Sequence, residues 1–446
     1  MVSSSYVRSR DVERTWSMST VLGLVFFVTL VIPSISYVGH GLVTTWVVFV
    51  FWLLAILLEY PHIIRQVGVV ARGRRIELFM FAGWLLLIIA NYSLGRAYAG
   101  KAHAIAMITF AMIIVMDLVY TALGKSIRKS LAIALFLMLG IEVIRSLPAL
   151  WSLSFIVRNV MYQGGSSQIY AEAFLSGVGE YSLYTGCAII LPVILATVLE
   201  SRGWLRAGLM TAWMGILVAI LLATLMGAIL LALTGFILLL IFVVTSSRQK
   251  MHLILLLSVI GLAIIVSWFA LFKDTEHGQI FADKFARQFT SMRDKGMVAG
   301  DLTNRADLWQ KSIDTFLANP IFGIGPVSET ENPYIGYLVG GHSSLLDLPA
   351  EYGIVGFVLY LGFLLTAMRR AFISLRRTHN RLFSKACIVS ALLFLVSGCY
   401  NPIIFVTTAN LFLYFFALGG LQPSPITINA AAFRSHQSVN HLSWQR

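Results

Sequence analysis

His342 and Arg305 are the side chains of this 446-residue sequence best suited to chemistry on a charged, hydroxylated substrate. His342 follows Gly340-Gly341 and precedes Ser343-Ser344, where a polar stretch runs into an apolar one. An imidazole with an ordinary pKa near 6.5 can accept the proton of an attacking hydroxyl. A purely structural histidine is the competing reading. Arg305 lies in Asn304-Arg305-Ala306-Asp307-Leu308-Trp309, ahead of Ile313, Phe316 and Leu317. Positions 308, 309, 313, 316 and 317 share a face at helical spacing, Asn304 has the chemistry of an N-cap, and Asn319-Pro320 stops the helix. Arg305 is then expected at the first helical position, where free N–H groups and a guanidinium together favour an anion. A surface ion pair of Arg305 with Asp301 or Asp307 is the alternative.

Other chemistries lack their residues. The sequence has no Asp-x-Asp, His-x3-His, P-loop or Gly-x-Ser-x-Gly, so no metal, cofactor or nucleotide site is expected. Cys187, Cys387 and Cys399 lie in apolar runs without a Cys-x-x-Cys pair and read as small buried hydrophobes.

The elements that must position these residues are membrane helices. Hydrophobic residues make up 58% of the chain and charged residues only 12%, about half the charged share that a soluble surface uses. Apolar runs long enough to cross a hydrocarbon core of ~30 Å recur along the sequence. The expected spans are 19–38, 41–58, 77–94, 104–123, 131–147, 181–199, 208–224, 226–245, 253–272, 353–368, 386–403 and 405–420. The expected fold is therefore an all-α polytopic membrane protein of about twelve transmembrane helices with one large helical outer loop. The net charge of +13 serves topology rather than nucleic acid. Both termini are expected inside, because that orientation puts Arg8, Arg10 and Arg14, then Arg65, Arg72, Arg74 and Arg75, then Arg369, Arg370, Arg376 and Arg377 in short inner segments.

The chain divides into an N-terminal membrane region over 1–272, an outer loop over 273–352, a C-terminal membrane region over 353–420 and an inner tail over 421–446. A smaller Gly/Ser-rich outer loop is expected over 148–180. Phe281, Phe285, Phe289 and Met292 form one helical stripe, suited to the bilayer interface or to packing on the protein. Ionisable groups within spans are few. Asp117 is expected to anchor structure near an inner end, whereas Glu142 and Arg145 either pair or leave Arg145 free to reach a phosphate.

Together, Arg305-x3-Trp309, Asn319-Pro320, Gly323-x-Gly325, His342, and Glu351-x-Gly353 with Gly356 resemble the O-antigen ligase and O-antigen polymerase family of bacterial surface-polysaccharide assembly. The detailed resemblance covers roughly 304–356, and the architecture resembles the family over the whole chain. It implies a metal-independent glycosyltransferase at the outer face of the bacterial inner membrane. The donor would be a glycan on undecaprenyl diphosphate, with His342 activating the acceptor hydroxyl and Arg305 holding the diphosphate. Family members often carry Ser-Arg-Gly at the outer start of a middle span, where this chain reads Leu225-Met226-Gly227-Ala228, and Asn where it has Ser343. If the chemistry needs a second cation, it must come from Arg145, Arg158, Arg287, Arg293 or Arg96, and Glu351 is a further substrate-binding candidate.

A polymerase would join two lipid-linked repeat units, with a chain-length regulator as a further partner. A ligase would pass the finished glycan to lipid A-core. The sequence leans to the polymerase. A lipid-linked-sugar flippase suits the number of spans but not the large outer loop. A cell-wall glycan polymerase would need a critical loop acid, for which Asp301, Asp307 and Asp314 are available.

Overall fold

The computed structural model describes residues 17–38, 42–94, 101–152, 168–223, 225–244, 301–326, 343–377, 381–401 and 406–418, with a few single positions between them. These residues form an all-α polytopic membrane protein, with no strand among them. In chain order the helices are α1 (Met18–Val31), α2 (Pro33–Val38), α3 (Leu42–Glu59), α4 (Ile63–Gly73) and α5 (Arg75–Ser93). They continue with α6 (Lys101–Leu123), α7 (Lys125–Ser152), α8 (Gln168–Leu175), α9 (Tyr181–Glu200) and α10 (Gly203–Leu222). The last are α11 (Met226–Val244), α12 (Asp301–Ala318), α13 (Ser344–Arg377), α14 (Arg381–Tyr400) and α15 (Thr407–Asn410), which runs on as a π-helix over Leu411–Leu418. Seven of the described helices are each long and apolar enough to cross a membrane.

Several boundaries differ from expectation for local reasons. The span expected over 19–38 breaks at Ile32, whose extended backbone (φ −90°, ψ 110°) precedes Pro33. The polar stretch after α3 contains α4, bent 109° from α3. Its Ile63, Val67 and Val70 share one face, with Arg65 and Arg72 on the other. The smaller loop starts later than expected because α7 runs through Pro148 to Ser152, and it contains α8. The expected span 353–368 belongs to the longer α13. Cys187 and Cys387 are buried, but Cys399 is exposed on α14. The expected span 253–272, the stripe from Phe281 to Met292, and the tail after 420 lie outside the described residues.

α9 occupies the centre, with Leu183 through Val198 buried. It packs on α10, α11, α14 and the final π-helix. α7 and α10 approach through small residues: a side chain on Gly140 would overlap Ala212, and one on Gly215 would lie 2.7 Å from Ile144 Cγ1. The π-helix is wholly buried. Its Phe415 carbonyl accepts from Arg128 Nη1 at 3.1 Å, and its Tyr414 ring stacks on Phe363 at 4.9 Å.

The two ends of the bundle differ in chemistry. At the basic end Asp117 is held by Arg74 (2.5 Å) and Arg128 (2.7 Å), which is the anchoring role expected of it. Glu77 there binds Arg74 (2.5 Å) and Arg370 (2.9 Å). Burial works against the charge on Arg74, but the Asp117 and Glu77 carboxylates outweigh it and hold its pKa above the ordinary arginine value. The far end carries the C-terminus of α7 and the N-termini of α9, α11 and α13.

Candidate functional site at the far end of the bundle

The site is built on a break in α13. Gly353 has φ 65° and ψ −171°, so the helical ladder stops there and restarts beyond it. In an unbroken helix the carbonyls of Ala350 and Glu351 would accept from residues 354 and 355. They accept instead from Ile324 N (3.1 Å) and Gly325 N (2.8 Å), while Ile354 N and Val355 N donate to the carbonyls of Pro320 (2.8 Å) and Ile321 (3.3 Å). The loop that follows α12 therefore replaces the missing helical bonds one for one. This is why glycines stand on both sides. A side chain on Gly323, itself at φ +66°, would lie 2.5 Å from Tyr352 N, and one on Gly353 would overlap the Ile321 carbonyl. Two separate sequence elements, Gly323-x-Gly325 and Glu351-x-Gly353, are thus halves of one backbone interlock.

The first half of α13 is fixed at its start by a reciprocal cap. Leu346 N donates to Ser343 Oγ (3.4 Å), and Ser343 N donates to Asp347 Oδ2 (3.0 Å). Asp347 also accepts from Ser312 Oγ of α12 at 2.7 Å, and its side chain is buried. Ser344 donates to the Asn401 carbonyl from both its amide (3.1 Å) and its hydroxyl (3.0 Å). A side chain on Gly227 would meet Asn401 Nδ2 at 3.8 Å and Tyr181 Oη at 3.1 Å, so the start of α11 reaches the same place. The ends of α9, α11, α13 and α14 converge there, and Ser312 in the middle of α12 joins them through Asp347.

The predicted site residues distribute unevenly over this frame. His342 immediately precedes the capped Ser343 but lies outside the described residues, as do Arg158, Arg287 and Arg293. Arg96 does too. Position 305 is in α12, which begins at Asp301, so Asn304 is not its cap and Arg305 is not its first residue. Contrary to the expectation from sequence, position 305 offers no free N–H to an anion, because its amide falls inside the ladder. Position 305 lies on the stripe that carries Ser312, about 10 Å along the helix axis. Glu351 is buried, with its carbonyl bound to Gly325 N. Arg145, at the same end of the bundle, donates to Glu142 (3.1 Å) and to the Leu175 carbonyl (2.6 Å), while its side chain stays 49% exposed.

Residues 210–361 match the O-antigen ligase family model. The matched stretch runs from α10 into α13, so it takes in positions 305 and 342, the Asp347 cap and the whole interlock. It covers less than half of the chain, and it bears out the resemblance read from residues 304–356. Over that stretch the chain is similar to the O-antigen ligase family of membrane enzymes. No curated protein matches the chain.

Asp347 and Ser312 within the matched stretch, and Asn401 beyond it, are the positioning residues that sequence reasoning missed. Ser343-x3-Asp347 carried a legible signal, since a serine followed by an acid at that spacing is close to a capping box. Asn401 carried none, because its carbonyl meets Ser344 across 57 residues.

Proposed function

We propose that this protein is a metal-independent glycosyltransferase that polymerises undecaprenyl-diphosphate-linked oligosaccharide repeat units at the outer face of the bacterial inner membrane. The observation that carries the reading is the family match over 210–361, which contains His342, Arg305 and the interlocked loop that flanks them. The excess of arginine at the end of the bundle opposite the site supports an orientation with both termini cytoplasmic.

In the reaction, a hydroxyl oxygen of the acceptor forms a bond to the anomeric carbon of the donor sugar. The bond from that carbon to the diphosphate oxygen breaks, and the diphosphate leaves with the electron pair. His342 takes the hydroxyl proton, and Arg305 stabilises the charge on the leaving group. Ser312, Asp347 and Ser343 form a hydrogen-bonded line from the helix of Arg305 to the residue after His342, which supports a shared site. Arg145 is the described candidate for a second phosphate contact, because half of its side chain remains open beside Glu142. A chain-length regulator would act as its partner.

Ligase activity toward lipid A-core is the second reading, favoured by the description of the matching family. Complementation of polysaccharide-deficient strains separates the two. Loss of a polymerase leaves single repeats on the core, whereas loss of a ligase leaves long chains on the lipid carrier. His342→Ala is expected to lower product formation about 10²–10⁴-fold, as loss of a general base does, and Arg305→Ala about 10²–10³-fold. Full product from both variants at normal membrane abundance overturns the assignment of roles.

A further inference from the structure

The opposite, basic end of the bundle holds a recess of about 320 Å³ that the proposed reaction does not use. It is lined by Arg72, Arg74 and Arg75 from the α4–α5 junction and by Thr366, Arg369 and Arg370 from α13. Glu77 is the acid on its wall. Behind it, Asp117 is already shared between Arg74 and Arg128. The buried Arg74, Arg128, Glu77 and Asp117, together with the partly exposed Arg370, therefore hold one more cation than anion.

The excess has a location. Arg370 shares Glu77 with Arg74, through Nε at 2.9 Å from Oε2 and Nη2 at 3.0 Å from Oε1. Its Nη1 is buried and has no hydrogen-bond partner among the described residues, and neither has Nε of Arg74, a side chain only 4% exposed. Leaving charged donors buried and unpaired is costly, so the cluster lacks an acceptor. Arg75 and Arg369 are exposed at the rim, with no ion-pair partner among the described residues. Two or more guanidinium forks converging on one small space match the oxygens of a phosphate.

The surroundings say where that phosphate comes from. Ile76 (57% exposed) and Ile373 (47%) line the recess, and Phe79 (71%), one turn along α5 from Ile76, extends the apolar surface into the span. α4 turns 109° from α3 beside it, the arrangement of a helix lying on a bilayer surface. A cationic recess opening at the rim of a lipid-facing surface suits a headgroup whose acyl chains lie along that surface. We propose that the recess between the α4–α5 junction and α13 binds the phosphate of an anionic phospholipid from the leaflet on that side.

The test is native mass spectrometry of the full chain in detergent, titrated separately with phosphatidylglycerol, phosphatidylcholine and inorganic phosphate. One phosphatidylglycerol is expected to be retained in preference to phosphatidylcholine. Arg75→Gln/Arg369→Gln is expected to weaken its retention at least about tenfold, since both arginines contact the phosphate. These side chains stand outside the buried cluster, and tryptophan-fluorescence melting without added lipid checks that the variant folds. Should the pair unfold, Arg369→Gln alone carries the test. Lys129→Gln/Arg202→Gln removes the same charge from exposed positions elsewhere and is expected to leave retention unchanged. Equal retention of the two lipids, an unchanged affinity in the rim variant, or an equal loss in the control variant overturns the proposal. Inorganic phosphate held as tightly as phosphatidylglycerol would overturn the lipid source, leaving a soluble phosphate ligand.

Discussion

Gly353→Ala attacks the interlock at its tightest point. The backbone there has φ 65° and ψ −171°, a region open in practice only to glycine. Forcing an L side chain into it costs about 1–3 kcal/mol. The new Cβ would also overlap the Ile321 carbonyl, so the loop after α12 must draw back from α13. Drawing back stretches the bonds that Ala350, Glu351, Ile354 and Val355 make with the loop, and losing two of them adds about 1–3 kcal/mol. The expected loss of about 2–6 kcal/mol is a large part of a typical folding stability of ~5–15 kcal/mol. Heating a fluorescent-protein fusion in detergent and following the monodisperse peak by size-exclusion chromatography reads the effect. Gly323→Ala, whose side chain would meet the other half of the same contact, is expected to behave alike. The double variant should cost less than the sum, because both changes break one interaction. Gly68→Ala is the control: nothing beyond its own helical backbone lies within 4 Å of its added carbon, and its place in α4 makes alanine neutral or slightly stabilising. A Gly353→Ala protein that melts with the wild type, or strictly additive losses in the double variant, would refute the reasoning.

Three further outcomes follow from other contacts. Asp347→Ala removes the acceptor for Ser312 Oγ and Ser343 N; it is expected to cost about 2–4 kcal/mol by the same thermal assay and to lower glycan product more than Ser312→Ala does. Gly23→Ala would drive its new carbon into the Tyr120 hydroxyl, whereas the next Tyr120 atom, Cζ, lies 3.1 Å away. Gly23→Ala should therefore destabilise, and adding Tyr120→Phe should restore most of the melting midpoint despite losing the 3.0 Å bond from Trp52 Nε1. Arg128→Ala strips Asp117 of one of its two guanidinium partners and is expected to cost about 3–5 kcal/mol, seen as reduced membrane abundance. Arg128→Lys should fall between, because an ammonium keeps the charge but cannot also reach Thr121 and the Asp117 carbonyl as the fork does.

Fold class was legible because it rests on one strong local property. A segment that is apolar on all sides and long enough to cross lipid must satisfy its own backbone, and helices do that without distant partners. Most described helices accordingly lie where runs of apolar residues end at Arg, Lys, Gly or Pro. α4 escaped that reading because a short amphipathic helix among arginines resembles a basic loop until its apolar face is counted. The start of α12 escaped it because Asn304 has cap chemistry, yet the three residues before it continue the helix.

The candidate site was legible as a set of elements but not as an object. Gly323, Gly325, Glu351 and Gly353 could be recognised by order and spacing, while the reason for the glycines lies in backbone contact between segments about 30 residues apart, a distance across which no periodicity carries information. The same holds for charge. That Asp117 would anchor structure followed from its place at the end of a span. Which arginines would reach it, and that the cluster would keep a surplus cation facing a recess, depended on how α5, α6, α7 and α13 pack. Composition and period decide what a segment can be, because those forces act along the chain; tertiary packing alone decides which segments share a hydrogen bond or a carboxylate, because those forces act across it.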